Sequence, residues 1–368
     1  MSEITNYGII GCGMMGQEHL RNIALLDNTR VSAIFEPHAG MAAECKKFAP
    51  DAQYVTSLEA LLEVTDLDCI LIASPNFRHL EQLEALAAKR PLPVLVEKPL
   101  FTDHAHVARL EDFRANYPAP VWVAMEYRFM PPIAALLNEA DDATGGVKML
   151  TIREHRFPFL NKIDDWNRFN RFTGGTFVEK CCHFFDLMRL ILKAEPIRVL
   201  ASGAMDVNHK DQAYNGETPD ILDNGYVIVD FEGGARAMLE LCMFAEGSRY
   251  QEEISAVGPN GKIEALVPGP GRFWPKHLGE APVPQVIVSP RDPKGPEVRD
   301  IPVDPTILEA GDHNGSTFYQ HRGFLELVRG ERDTPEVSLR DGQLAVLMGM
   351  AAQLSMKEHR AVELRELM

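Results

Sequence analysis

Two stretches of the sequence carry side chains that could move or stabilise a proton on a substrate. Glu179, His183 and Asp186 are spaced i, i+4 and i+7, which stacks them on one face of a helix. A carboxylate four residues from an imidazole can fix its tautomer and raise its basicity, as a general base requires. Phe184, Phe185, Leu187 and Met188 surround these residues with core-forming side chains, so Asp186 is expected to meet a structural partner. The second stretch is Glu97-Lys98-Pro99, directly after the apolar run Pro93–Val96. An ammonium there could stabilise negative charge developing on an oxygen, and Pro99 keeps the backbone of Lys98 out of the helical region. Cys181-Cys182-His183 is not read as a metal site, because vicinal cysteines cannot comfortably bind one ion and no second Cys/His cluster has ligand spacing.

A glycine loop indicates what these groups would work beside. The apolar run Tyr7-Gly8-Ile9-Ile10 ends in Gly11-Cys12-Gly13-Met14-Met15-Gly16, and Leu20, Ile23, Ala24 and Leu26 then fall at helical spacing. A GxGxxG loop between strand and helix, with Glu36 twenty residues beyond Gly16 at the end of a second strand, is a dinucleotide fingerprint. Gly11 permits the tight turn, Gly13 lets the backbone approach a diphosphate, and Gly16 lets helix and strand pack closely. Met14 and Met15 open the helix whose free N–H groups favour that anion. Glu36 can accept both ribose hydroxyls and would repel a 2′-phosphate, and no Arg or Lys follows until Lys46. NAD is therefore expected in preference to NADP, with His38 the residue that could upset the preference. Ser74, Pro75, Asn76 and His79 follow the strand 69–73 as Glu97 and Lys98 follow 93–96, all at strand carboxyl ends, where ligands bind in open α/β sheets.

The elements that must hold these residues follow from period. Short apolar strands at Tyr7–Ile10, Val31–Phe35, Cys69–Ala73, Pro93–Val96 and Val121–Met125 alternate with helical stretches such as Leu80–Lys89 and Val107–Phe113. That rhythm implies a doubly wound α/β domain whose parallel sheet is buried on both faces. From about Pro196 to Ile301 the chain alternates as strands do, with turns at Gly233-Gly234 and Gly258-Pro259-Asn260-Gly261. Pro268 to Lys294 is rich in Pro and Gly and reads as a surface excursion; helices follow near Thr317–Arg329 and Asp341–Lys357. The division is expected near residue 125: 1–125 as the dinucleotide-binding domain and 126–368 as the substrate-binding and oligomerisation domain, with the last helices free to pack back on the first.

Taken together, the chain resembles the Gfo/Idh/MocA oxidoreductases, the family of glucose–fructose oxidoreductase and inositol dehydrogenase. The resemblance rests on Gly11–Gly16, Pro75-Asn76…His79, Glu97-Lys98-Pro99, Gly174-Gly175 leading to Glu179…His183…Asp186-Leu187, Phe324-Leu325 and Asp341-Gly342. It implies an N-terminal Rossmann domain and a C-terminal α/β domain whose large, mostly antiparallel sheet often carries the oligomer interface. It also implies that Lys98 and His183 are catalytic and that Glu179 helps His183. This chain departs from the usual pattern by having Glu179 in place of Asp and Cys181 in place of Gly, and Lys180 is an extra cation.

The segment from His155 to Phe172 interleaves Arg156, Lys162, Arg168 and Arg171 with Phe157, Phe159, Trp166, Phe169 and Phe172. Basic residues among aromatics can mark nucleic-acid binding. Asp164-Asp165 and a net charge of −16 (Lys+Arg 37, Asp+Glu 53) oppose that and favour a loop over a sugar or cyclitol ring. Tyr127, Arg128, Lys180, Trp166 and Arg156 are the substrate-contact candidates, and the aromatics could equally be core or interface. His313, Asn314 and His321 have the same two readings. With 368 residues, 45% hydrophobic and 24% charged, the chain fits two globular domains. No apolar run reaches the ~20 residues of a membrane span, and six cysteines without a CxxC pair read as reduced thiols in the cytoplasm.

The expectation is an NAD-dependent enzyme moving a hydride between a secondary alcohol of a sugar or cyclic polyol and the nicotinamide. It would work as a homo-oligomer, dimer or tetramer, without nucleic acid, membrane or metal. Two other classes stay open: a glycosidase or lyase that oxidises a sugar transiently on tightly held NAD, and a non-enzymatic NAD or sugar sensor.

Overall fold

The computed structural model describes residues 4–368, in two compact units. The first comprises the chain up to Glu126 together with Pro305–Gly311 and Gly315–Gln343. Its sheet contains β1 (Thr5–Ile10), β2 (Thr29–Phe35), β3 (Gln53–Val55), β4 (Cys69–Ile72), β5 (Val94–Val96) and β6 (Val121–Val123), all parallel in the order β3-β2-β1-β4-β5-β6. Every residue of β4, β5 and β6 is buried, as a parallel sheet covered on both faces requires. The winding reverses between β1 and β4, and such a switch point opens a crevice at the carboxyl ends of the strands.

The helices of this unit are α1 (Met14–Ile23), α2 (Ala39–Cys45), α3 (Leu58–Leu62), α4 (His79–Lys89) and α5 (Val107–Asn116), joined by Pro305–Ala310 and Ser316–Val328 from late in the chain. Both late segments pack on α1: Arg21 donates to the Ala310 carbonyl at 2.9 Å, and Leu20 and Ile23 are buried. Apolar rhythm does not announce α2, β3 and α3, because α2 buries only Cys45 and β3 buries nothing fully. The expectation that all six cysteines are free thiols is corrected here. Cys12, in the glycine loop, and Cys45, at the end of α2, form a disulfide, their Cα atoms 6.4 Å apart. The pairing of β1 with β2 and the return of α2 along it bring together two residues 33 apart in sequence, and no local pattern encodes that.

The second unit comprises Tyr127–Asp304, Asp312–Asn314 and Leu344–Met368. Its nine-stranded sheet contains β7 (Met149–His155), β8 (Pro196–Ala204), β9 (Asn224–Phe231), β10 (Arg236–Cys242), β11 (Glu252–Gly258), β12 (Gly261–Val267), β13 (Gln285–Pro290), β14 (Glu297–Asp300) and β15 (Val362–Glu363). The order is β14-β13-β12-β11-β7-β10-β9-β8-β15, antiparallel throughout except for β7 beside β10. Burial alternates along β9, β10, β11 and β12, so one face is core, and α6 (Pro131–Thr144) lies on β11, β12 and β13. The Pro/Gly-rich stretch 268–294 is thus only partly an excursion, since Gln285–Pro290 pairs in register with β12.

The single helix expected after Gly174-Gly175 is also interrupted. It follows α7 (Asn170–Thr173) as α8 (Thr176–Glu179) and α9 (Cys182–Leu192), separated by Lys180 and Cys181. Both linking residues keep right-handed helical torsions, so the chain continues in much the same course while its ladder is broken. Among the described residues no helix is long and apolar enough to cross a membrane.

Candidate active site

In the first unit the glycine loop has the shape its sequence predicts for a dinucleotide. Gly11 has φ +88°, and a Cβ there would lie 2.6 Å from the backbone of Ser74. A Cβ on Gly16 would meet the Gly11 carbonyl oxygen at 2.6 Å, so the start of α1 sits tight on the loop. Gly13 differs: a Cβ added there meets nothing within 4 Å, and its torsions (φ −68°, ψ −159°) suit any residue. The loop is therefore closed at both ends and open in the middle, before a helix N-terminus that no side chain caps. We expect Gly13→Val to fold with stability within about 0.5 kcal/mol of the parent, yet to weaken NAD binding tenfold or more (roughly 1.4 kcal/mol). Calorimetric titration alongside a urea melt checks both halves.

Glu36 follows β2 and turns back on the loop. Its carboxylate accepts from the Cys12 N–H at 2.7 Å and the His38 N–H at 2.8 Å. Carboxylate oxygens have more than one acceptor site each, so the residue can be fixed by the loop and still accept a ribose hydroxyl. His38 caps α2, its Nδ1 accepting from the Met41 N–H at 3.2 Å. Met14 is exposed, Met15 and Ser74 are half-buried, and Ser74 donates to Gln82 at 2.6 Å. Asn76 is buried beside Pro75, and its Nδ2 has no hydrogen-bond partner. An open glycine loop and an orphaned buried amide fit a dinucleotide at this strand end.

Lys98 is half-buried at the carboxyl end of β5, and its peptide bond to Pro99 is cis. A buried scaffold surrounds its backbone. His79, the first residue of α4, places Nδ1 2.8 Å from the Pro99 carbonyl and Nε2 2.9 Å from the Ser74 carbonyl. Burial lowers the proton affinity of this imidazole, against the two carbonyls that favour its charged form. Glu97 accepts from the Lys98 N–H at 3.2 Å and meets His19 Nε2 at 2.9 Å, while His19 Nδ1 meets His321 Nε2 at 2.8 Å. Burial alone would raise Glu97, but the hydrogen bond and charge of His19 and the charge of Lys98 hold its carboxyl below the ordinary range. His321 is pushed well below ordinary histidine by burial and then by His19, which keeps it neutral.

In the second unit His183 is the second residue of α9 and is buried, with the Tyr127 ring stacked on its imidazole at a centroid distance of 4.1 Å and 7° between planes. Glu179 closes α8 and is buried. Lys180, in the break between these helices, donates to the Tyr127 hydroxyl at 2.5 Å and lies 2.8 Å from Glu154 Oε1. Arg156 lies over the Phe157 ring at 4.5 Å and 3.8 Å from Glu154, and Trp166 is half-buried in a short 3-10 segment, Ile163–Arg168. Arg128 is committed elsewhere: its guanidinium grips Asp186 with bonds of 2.6 and 2.5 Å, both residues buried.

Sequence reasoning did not pick out Glu154 and Glu252. They face each other across β7 and β11 and are fully buried. Burial and then the charge of Glu154 push Glu252 up to about 7, against Lys180, Gln251 and Arg156. A signal existed. Glu154 is in phase with the inward Leu150 and Ile152, and Glu252 with Ile254 and Ala256, so each is a carboxylate at a core position of its strand. His19 and Thr317 were likewise outside the expected site, although Thr317 Oγ1 lies 2.9 Å from Glu18 and 2.7 Å from Glu126; His321, read as either cleft or core, is buried against His19.

The chain matches two family profiles, one described as an oxidoreductase family NAD-binding Rossmann fold over residues 5–125, the other as an oxidoreductase family C-terminal alpha/beta domain over 141–364. A myo-inositol 2-dehydrogenase of Thermotoga maritima is 27% identical over 363 residues, covering 98% of each chain. An inositol 2-dehydrogenase of Corynebacterium glutamicum ATCC 13032 is 31% identical over 277 residues, 74% of this chain and 77% of that one. A solved levoglucosan dehydrogenase, in complex with NADH and levoglucosan, superposes with a TM-score of 0.79 over 98% of this chain and 100% of its own. At 19% identity that likeness is one of fold.

Proposed function

The chain belongs to the Gfo/Idh/MocA oxidoreductases, and from that premise we propose that it is an NAD-dependent dehydrogenase of a secondary alcohol on a sugar or inositol-like polyol. The observation that carries the reading is the buried scaffold of His79, Glu97 and His19, which holds Lys98 at the carboxyl end of β5, in the sheet whose β1 runs into an open dinucleotide loop. Relatives named inositol 2-dehydrogenase support the polyol class.

The nicotinamide, when bound, supplies the hydride acceptor. Gly13 and the first turn of α1 hold the diphosphate, Glu36 takes the ribose hydroxyls, and Ser74, Pro75 and Asn76 line the same strand end. His183 removes the hydroxyl proton as general base, with Glu179 orienting it. Lys98 donates to the same oxygen and stabilises its growing negative charge. Tyr127, Lys180, Arg156 and Trp166 contact the ring and its other hydroxyls. The carboxylate of Glu36 favours NAD over NADP, because a 2′-phosphate beside it would be repelled. The open sheet face, where Met149, Leu200, Tyr226 and Ile228 are exposed, supports assembly as a homodimer or homotetramer.

The test is a panel of inositols, aldoses and their lactones, offered with NAD⁺ and with NADP⁺ while reduced cofactor is followed by absorbance. We expect net NADH from at least one polyol, with kcat/KM for NAD⁺ about tenfold or more above that for NADP⁺. Stoichiometric bound NAD with product but no net NADH would move the chain to redox-cycled sugar cleavage. Tight binding with no turnover at all would make it a sensor.

A further inference from the structure

The second unit buries more ionisable groups than hydride transfer needs. Glu154 is 0% and Glu252 1% exposed, and their strands place them directly opposite one another. Two carboxylates so placed cannot both ionise without mutual repulsion in a medium that screens poorly. Lys180, itself buried, lies 2.8 Å from Glu154 and reaches the Tyr127 hydroxyl at 2.5 Å, and the Tyr127 ring lies flat on His183. An ammonium has donors only, so the phenol oxygen must accept from it, and the phenol's own proton points elsewhere.

The parallel stack excludes an in-plane hydrogen bond from imidazole to phenol, so what passes between them is charge felt at short range between buried groups. A purely structural ion pair would be the weaker explanation, since apolar residues fill such a site at lower desolvation cost.

We propose that the Glu154–Glu252 pair, linked by Lys180 to the ring stacked on His183, is a charge-compensating store that holds one exchangeable proton and sets how readily His183 takes a proton from substrate. The inference rests on His183 being the base. When His183 becomes imidazolium, the pair releases its proton to solvent; when His183 gives its proton up, the pair recovers one, so the charge of the buried group is unchanged over a cycle. Glu154 and Glu252 are positioning residues in this scheme, acting on His183 through Lys180 and Tyr127. Besides one another, the cluster is faced by Arg156, by Gln251, which donates to Glu252 at 2.6 Å, and by Cys181, whose thiol burial keeps protonated. Tyr127 is stacked on His183, Glu179 lies four residues before it at the end of α8, and His313 is 6.2 Å from the Tyr127 ring. The raised proton affinity of Glu252 agrees with a proton shared near neutrality.

The test needs no turnover. The ring carbon of His183 is followed by NMR against pH in full-length protein with labelled histidine, assigned by His183→Asn. Two interacting sites titrate as a pair, so the parent signal should move in two steps, and Glu252→Gln, which has the shape of the protonated acid, should leave one. Lys180→Met should move the second step to higher pH, and Lys180→Arg should restore it. A one-step curve in the parent, or an unchanged curve in a folded Glu252→Gln, overturns the proposal. Turnover on the polyol panel is scored separately: a two-step curve without any turnover retains the coupled store and rejects the dehydrogenase reading. With turnover, the pH profile of kcat/KM should lose the same step in Glu252→Gln.

Discussion

Methionine in place of Lys98 is expected to lower kcat/KM for polyol oxidation by about 10³-fold while NAD still binds. The substitution keeps most of the side chain's length and removes only its charge and donors. Removing one donor to a developing oxyanion typically costs about 10²–10³ in rate, and loss of a full cation adds to that. The backbone should not move, because Glu97, His79 and His19 hold this corner through groups that the substitution leaves alone. Lys98→Arg should fall between, since the guanidinium restores charge with a different reach. Steady-state kinetics on the best substrate of the panel, with NAD titration in parallel, would decide it. A rate near the parent's, with NAD bound, would remove Lys98 from the mechanism.

The largest effect on stability is expected at Arg128 and Asp186. Their bidentate pair is almost fully excluded from water, 6% and 1% exposed at the side chains. Breaking such a pair from one side leaves a buried charge uncompensated, at about 3–5 kcal/mol. Arg128→Met and Asp186→Leu should each lower the melting temperature by on the order of 10 °C. The double variant should recover much of the loss, because it removes both charges together. Equal and additive losses in a thermal melt would show that the two side chains contribute independently.

How much of this could be read from residues alone varied with the kind of signal. The apolar runs ending at Ile10, Phe35, Ile72 and Val96 are short and continuous because the sheet is covered on both faces, so each stood out. The glycine loop was legible for the same local reason: turn, open approach and close packing each demand glycine at a fixed offset. Lys98 and His183 came from motifs that are contiguous in sequence. What lay beyond reach depended on pairing across long separations. The disulfide of Cys12 with Cys45, the parallel contact of β7 with β10, and the chain from Glu97 through His19 to His321 join residues that no period connects. The break at Lys180-Cys181 lies between, since the helical spacing of Glu179 and His183 is real but the ladder does not run through it. Glu154 and Glu252 are different again: their inward phase was visible, and only its meaning required knowing that the two strands are neighbours.

The return of Pro305–Gly311 and Gly315–Gln343 to the first unit bears on any attempt to dissect this enzyme. A gene fragment stopping at residue 126 would encode the whole parallel sheet and the glycine loop, yet it would strip Ser316–Val328 from α1 and leave Leu20, Ile23, Tyr7 and His19 facing solvent. Such a fragment is a candidate for aggregation rather than for a free nucleotide-binding module. A minimal version would have to splice residue 126 to 305 through a designed linker, making the division of labour between the halves a property of the folded polypeptide and not of its linear map.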